Sequence, residues 1–221
     1  MTKKFLFKKA LILGGSSGLG KEIAKQIKTS CKDTIALSSK DIDTSNLESV
    51  RKFINIQKST DILVLNSGGP PAKSFFQTTE DDWLRYFNQL FLSYCMILKN
   101  LKINNNGYIF LISSSIIKEP SESLIMSSSL RLGFSSVLKS LSKTFSLRGI
   151  SLINIAPGPF KTRRVKDLVK NLALFEKTLP TKKIGDPAEI GKFVKFILSN
   201  KIKYLTGSTI YFDGNTLNSF H

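Results

Sequence analysis

The sequence predicts a doubly wound α/β fold, a parallel sheet with helices on both faces. Three observations carry that expectation. Strand-like apolar runs alternate with longer segments of helical period along the whole chain. The strand runs, such as Ala10-Leu11-Ile12-Leu13, Ile62-Leu63-Val64-Leu65 and Tyr108-Ile109-Phe110-Leu111-Ile112, are apolar without alternation, as strands buried on both faces are. A glycine-rich turn, Gly14-Gly15-Ser16-Ser17-Gly18-Leu19-Gly20, joins the first run to the first helical segment. On such a sheet, ligands sit at the carboxyl ends of the strands, near the point where strand order reverses.

The elements follow in order. Lys9–Gly14 reads as the first strand; Lys8 and Lys9 interrupt the apolar N-terminal stretch that would otherwise resemble a secretion leader. Gly18–Ile27 reads as a helix and Thr34–Leu37 as the second strand. Ser45–Ile56 carries Leu47, Val50, Phe53 and Ile54 at helical spacing. Asp61–Asn66 is the third strand, broken by Gly68-Gly69-Pro70-Pro71. Glu80–Leu101 is a long helix, Gly107–Ser113 a strand and Leu124–Leu147 a second long helix. Ile150–Ile155 is a strand ended by Ala156-Pro157-Gly158-Pro159, and a helical patch covers Arg163–Phe175. Asp186 caps a further helix with Pro187 at its first position. Thr209–Phe212 is the last strand.

A chain of 221 residues with 41% hydrophobic content fits one domain over residues 1–221 with a buried core. No apolar run is long enough to span a membrane. Cys31 and Cys95 show no metal or redox spacing, which suits a reducing compartment and a cytoplasmic protein. No set of residues points to a bound metal. The net charge of +17, from 33 Lys and Arg against 16 Asp and Glu, reads as a solvated basic surface. Attraction to an anionic partner is the alternative: a phosphorylated cofactor, an acidic carrier protein, a membrane surface or nucleic acid. No basic run is interleaved with aromatics, so nucleic acid is disfavoured. His221, the only histidine, reads as part of a disordered tail.

The glycine turn carries the first chemistry. A tight turn needs positive φ and a phosphate needs close approach to the backbone; glycine permits both. The N–H groups and dipole at the start of the helix then favour a pyrophosphate. Gly14, Ser16, Ser17, Gly18, Leu19 and Gly20 are the candidate phosphate-side residues of a dinucleotide site, and the fold is expected to be Rossmann-like.

At this point the chain resembles the short-chain dehydrogenase/reductase family over essentially its whole length. Gly14 to Gly20 is similar to that family's Thr-Gly-x-x-x-Gly-x-Gly, with Leu13 in place of Thr. Asn66-Ser67-Gly68 after Leu65 resembles its Asn-Asn-Ala-Gly. Ile112-Ser113-Ser114 resembles its active-site serine strand. Pro157-Gly158, with Phe160 and Thr162, resembles the Pro-Gly-x-x-x-Thr that grips the nicotinamide carboxamide. Thr206-Gly207 and Asp213-Gly214 resemble its closing strand. The resemblance implies a nicotinamide dinucleotide. The second strand ends Leu37-Ser38-Ser39-Lys40, where two hydroxyls and a lysine suit a 2′-phosphate, so NADP(H) is expected and NAD(H) is the second choice. After Lys40 the chain passes directly to Asp41-Ile42, expected to lie over the adenine. That leaves no room for the family's outer strand-helix unit, so six strands are expected.

The same resemblance places a changed catalytic set. With Ser114 aligned on the family's serine, Ser127 stands at its tyrosine and Arg131 at its lysine. Leu90 stands at its asparagine, with Asn88 the alternative under a shifted alignment. This pattern resembles a divergent subgroup without the Tyr-x-x-x-Lys pair. A serine is a far weaker acid than a phenol, and arginine keeps its proton near neutral pH. Arg131 shares a helix face with Ser127 and can hold a ribose or polarise a substrate oxygen. Lys118 is the candidate substitute acid, since a partly desolvated lysine can titrate near neutrality; its alternative is a solvated loop lysine beside Glu119. Lys161–Pro180, with Lys161, Arg163, Arg164, Lys166, Lys170 and Lys177, is expected to be a substrate lid suited to an acidic substrate or carrier.

The expected function is an NADP(H)-dependent oxidoreductase acting on a small or carrier-bound carbonyl or alcohol with a non-standard proton donor. A dinucleotide-binding protein without redox chemistry, serving as sensor or partner subunit, is the alternative. A polyanion-binding protein is the third reading. The resemblance implies a homodimer or homotetramer through the two long helices.

Overall fold

The computed structural model describes residues 5–219, so His221 lies outside the described residues. Six strands form one parallel sheet: β1 (Phe7–Ile12), β2 (Cys31–Ala36), β3 (Ser59–Leu65), β4 (Lys102–Ile112), β5 (Ser151–Pro157) and β6 (Thr209–Phe212). Their order is β2-β1-β3-β4-β5-β6. No strand lies outside β2 among the described residues, as the short passage from Lys40 to Asp43 requires. The strand order reverses at β1, whose neighbours are β2 on one side and β3 on the other. The carboxyl ends of β1 and β3 therefore open a crevice between Leu13 and Asn66.

The uninterrupted apolar strands are explained by the two cores they feed. Leu11, Leu13, Leu63, Leu65, Ile109 and Leu111 face α2 (Leu47–Ile56), α4 (Ser93–Asn100) and α5 (Ile125–Ser146). Ala10, Ile12, Ile62, Val64, Tyr108 and Phe110 face the opposite way, against α1 (Gly18–Ile27) and α8 (Pro187–Ser199). Neighbouring residues alternate between the two faces, so every position needs an apolar side chain.

Several strands start earlier than hydropathy suggested. β2, β3 and β4 extend backwards into polar residues, with Phe7 paired to Cys31 and Ser59 to Lys102. Ladder hydrogen bonds use only the backbone, so pairing outlasts the buried part of a strand. The expected single helix Glu80–Leu101 is α3 (Glu80–Phe87), a π-helical turn over Asn88–Leu92, and α4. The expected patch Arg163–Phe175 is two short helices, α6 (Arg163–Leu168) and α7 (Leu172–Thr178). They are separated because Val169 is extended and the Asn171 side chain caps α7 by accepting from the Leu174 N–H. At α8 the Asp186 carboxylate accepts from the Ala188 N–H with Pro187 at the first position, as read from the sequence.

Phe110 is fully buried at the centre of the sheet and stacks on Tyr108 at 6.0 Å. Phe110→Ala is expected to lower the unfolding free energy by about 3–5 kcal/mol in urea denaturation. A loss within about 0.5 kcal/mol, as for an ordinary surface substitution, would show that this core is not close-packed.

Candidate functional site

The crevice begins at the glycine turn. Gly14 has φ 59° and Gly18 φ 52°, values that strain any residue carrying a Cβ. Gly20 is needed for space. A Cβ there would lie 2.8 Å from Asn66 Nδ2, with the Gly14 carbonyl oxygen nearer still. Asn66, just past β3, donates from Nδ2 to that carbonyl at 3.2 Å and ties the turn to the neighbouring strand. Helix α1 starts uncapped: the Ser17 side chain accepts no bond from it, and its first turn holds no acidic residue. In contrast, Asn46, Thr79 and Asp186 cap α2, α3 and α8. Open N–H groups at the positive end of α1, beside a turn of glycines and small serines, fit the pyrophosphate of a dinucleotide.

Arg131 organises the far end. It is only 9% exposed, and its guanidinium is held by four neutral acceptors. Nε donates to Ser127 Oγ at 3.2 Å, Nη1 to the carbonyls of Ile112 and Ser113 at 3.2 and 3.3 Å, and Nη2 to the Ser67 carbonyl at 3.2 Å. The side chain thus ties the ends of β3 and β4 to α5. Burial works against its charge, the Tyr94 phenol favours it and Arg164 opposes it; arginine's basicity keeps it protonated at neutral pH. Because Ser127 Oγ accepts from Arg131, the serine's own O–H is left to donate into the cleft. Ser114 makes no side-chain hydrogen bond at the cap of its short 3₁₀ turn, so its hydroxyl is also available.

The cleft has a volume of ≈ 650 Å³ and runs between these two ends. Gly14, Ser17, Gly18 and Leu19 line it at the turn, Asn66, Ser67 and Gly68 along β3's end, and Pro157, Gly158, Phe160 and Thr162 after β5. Ser114, Ser127 and Arg131 form its floor. The helices α6 and α7, with the link between them, close it from above with Arg164, Val165, Val169 and Phe175. Arg164 is anchored there, donating from Nη2 to the Pro70 carbonyl at 2.5 Å. The volume falls within the roughly 300–1,000 Å³ of ligand sites.

Other sequence-predicted residues are not brought into this cleft. Ser16 is exposed on the turn, and Gly20 lies behind it against Asn66. Ser38 donates from its N–H and its hydroxyl to the Asp41 carboxylate, at 2.8 and 2.7 Å, bonds that lower the Asp41 pKa. That leaves Ser39 and Lys40, both exposed, at the end of β2. Ile42 is buried with Leu13, Leu37 and Val50, so the lid expected from the Asp41 and Ile42 side chains is not built; one is turned onto Ser38 and the other into the core. Lys118 is likewise corrected. Its ammonium lies 5.0 Å from the centre of the Tyr211 ring and does not line the cleft, because the 3₁₀ turn Ser115–Ile117 carries it past the floor.

Two features were not read from the sequence. The π-helical turn buries Leu90 beside Tyr94 and Arg131, while Asn88 does not line the cleft. Tyr94, one turn later, is a buried phenol beside the guanidinium. Burial raises its pKa, while Ser67 and Arg131 pull it down. Its hydrophobic neighbours in the sequence gave no signal of that contact.

Comparison with known proteins agrees with this architecture. A family model described as enoyl-(acyl carrier protein) reductase matches residues 17–215. The 3-oxoacyl-(acyl-carrier-protein) reductase FabG of Buchnera aphidicola subsp. Baizongia pistaciae is 27% identical, over 93% of this chain and 95% of its own. The solved L-sorbose reductase of Gluconobacter frateurii, complexed with NADPH and L-sorbose, superposes with a TM-score of 0.85 at 20% identity, over 99% of this chain and 100% of its own. A short-chain dehydrogenase of Burkholderia cenocepacia in complex with NADP gives 0.83 at 19% identity, over 94% and 96%.

Arg131→Lys tests the floor. An ammonium keeps the charge but has three donors in place of a planar fork, so acceptors at the ends of β3 and β4 lose their partners. A stability loss of about 1–3 kcal/mol, or roughly 3–10 °C in Tm, is expected in thermal denaturation. An unchanged Tm would contradict the role of Arg131 as the tie between these strand ends.

Proposed function

The chain belongs to the short-chain dehydrogenase/reductase family, and from that premise we propose that it is an NADP(H)-dependent reductase of a carbonyl substrate, with Ser127 in place of the family's tyrosine and Arg131 in place of its lysine. The observation that carries the reading is the continuity of the cleft. One wall runs from the open amides of α1, past Thr162, to the hydroxyls of Ser114 and Ser127 above Arg131.

NADP(H) is favoured over NAD(H) by two supports. Solved proteins of the same fold hold NADPH or NADP. The Ser39 and Lys40 side chains are exposed just past β2, while the Asp41 carboxylate is already engaged by Ser38. In this reading Gly14, Ser17, Gly18 and Leu19 hold the pyrophosphate, Asn66 braces the turn, and Pro157, Gly158, Phe160 and Thr162 border the nicotinamide. A nicotinamide held there would supply a hydride for a carbonyl carbon. The carbonyl oxygen, gaining negative charge as its π bond breaks, accepts from Ser114 and Ser127. Ser127 passes its proton to that oxygen and recovers one from water in the cleft. The adjacent guanidinium stabilises the negative charge throughout.

Residues 161–180 act as the substrate lid of a single-domain enzyme, since α6 and α7 roof the cleft. Leu84, Phe87 and Leu132 are exposed on α3 and α5, which supports a homodimer or homotetramer joined through those helices. No helix among the described residues is long and apolar enough to cross a membrane. Both cysteines are free, in keeping with work in the cytoplasm. The changed floor also supports a second reading, a dinucleotide-binding protein without turnover.

Absorbance at the NADPH band, followed across a panel of ketones, aldehydes and oxo acids, decides between them. The reductase reading expects substrate-dependent loss of NADPH, with Ser127→Ala lowering kcat by about 10²–10⁴-fold. NADPH binding without loss for any carbonyl would establish the silent binding protein, and an unchanged kcat in Ser127→Ala would remove Ser127 as the proton donor.

A further inference from the structure

Two guanidinium groups converge on one point of the cleft, and neither is in an ion pair, although the Asp167 carboxylate favours the charge of Arg164 from a distance. A Cβ built on Gly69 would lie 3.5 Å from Nη2 of Arg131, 3.5 Å from Nη2 of Arg164 and 3.5 Å from Oγ of Ser127. The two nitrogens are therefore no further apart than twice that distance. None of the ion pairs among the described residues includes Arg131 or Arg164. Asp167, one turn after Arg164, pairs instead with Arg163 at 3.9 Å.

Donor counting shows what is left over. A guanidinium has five N–H groups. Arg131 uses four of them on Ser127, Ile112, Ser113 and Ser67, and the remaining one is on Nη2. Arg164 uses one, on Pro70. The free N–H groups face a region where Gly69 offers no side chain. Burial makes each positive charge costly; Arg164 also opposes the charge of Arg131, while Asp167 and Tyr86 offset part of the cost at Arg164. A protein seldom brings two cations together in a half-buried cleft unless an anion joins them there.

We propose that Arg131 and Arg164 form a clamp for a carboxylate carried by the substrate itself, so that the substrate is an apolar-bodied α-oxo acid rather than a neutral ketone or a thioester. The inference rests on the reductase reading and narrows it. A carboxylate accepting one charge-assisted bond of about 2.7–2.9 Å at each oxygen spans such a gap. An α-oxo acid places its ketone oxygen next to the carboxylate, within reach of the Ser127 hydroxyl at the same point. Val165, Val169, Phe175 and Leu179 then offer an apolar wall to the rest of the molecule.

The test uses the full chain saturated with NADP⁺, which has no hydride to give, so that binding is read without turnover. Calorimetric titration with ketoisocaproate and with its methyl ester compares one skeleton with and without the charge. The acid is expected to bind about tenfold tighter or more, a difference of about 1.4 kcal/mol. Arg164→Gln, which retains an N–H donor for Pro70, should cut the acid's preference over the ester several-fold, Arg131 still supplying one bond, with NADP⁺ affinity unchanged. Equal affinities in the unaltered protein, or a preference undiminished in Arg164→Gln, would overturn the clamp while leaving the reductase reading intact. Acid binding that disappears once NADP⁺ is present would also overturn it, because the arginines would then serve the cofactor. Failure to bind NADP⁺ at all would overturn the reductase reading and the clamp with it.

Discussion

The guanidinium of Arg131 sits where three parts of the fold open at the same edge, and the shape of the cleft depends on how its N–H groups are shared. Carbonyls at the ends of β3 and β4 point out of the sheet with no further strand residue to receive them. A charged donor from α5 satisfies them together. A buried arginine without a carboxylate is stable only when neutral acceptors surround it closely, and the four bonds at 3.2 to 3.3 Å meet that condition. The same arrangement fixes Ser127, because the serine oxygen is one of the acceptors. Floor geometry and backbone closure are therefore one constraint.

At the other end of the crevice the logic is reversed. There the backbone is left open: α1 begins without a cap, and Gly14 and Gly20 let the turn pack closely against Asn66. Asn66 holds that turn through a single carbonyl, and Ser67, its neighbour, offers its carbonyl to Arg131. One short segment after β3 thus braces both ends of the cleft. The crevice lies beside β1 because strand order reverses there, which is a consequence of topology rather than of any one residue.

Legibility followed the physics of each signal. The glycine turn, the six strands and the cap at Asp186 were readable because local chemistry alone decides them: positive φ, apolar runs and an N–H acceptor before Pro187. The absent outer strand was readable as a simple shortage of residues between Lys40 and Asp43. Lys118 and Ile42 were misplaced because their positions depend on tertiary direction. A 3₁₀ turn carries Lys118 to Tyr211, and Ile42 serves the core beside Val50. The π-helical turn was invisible because Glu80–Leu101 keeps a helical apolar pattern on either side of it. The convergence of Arg131 and Arg164 on Gly69 joins α5 to the lid, and no spacing in the chain encodes it. What the sequence could offer was the charge itself, counted among the basic residues of 161–180.

The most direct test of this account is a structure of the protein with NADPH bound. Phosphates are expected on the N–H groups that open α1, with the nicotinamide C4 facing the recess of Ser114, Ser127 and Arg131. A substrate carbon at about 3–3.5 Å, the separation needed for transfer, would then fit between the ring and that recess. A dinucleotide bound elsewhere, or a nicotinamide turned away from those hydroxyls, would contradict it.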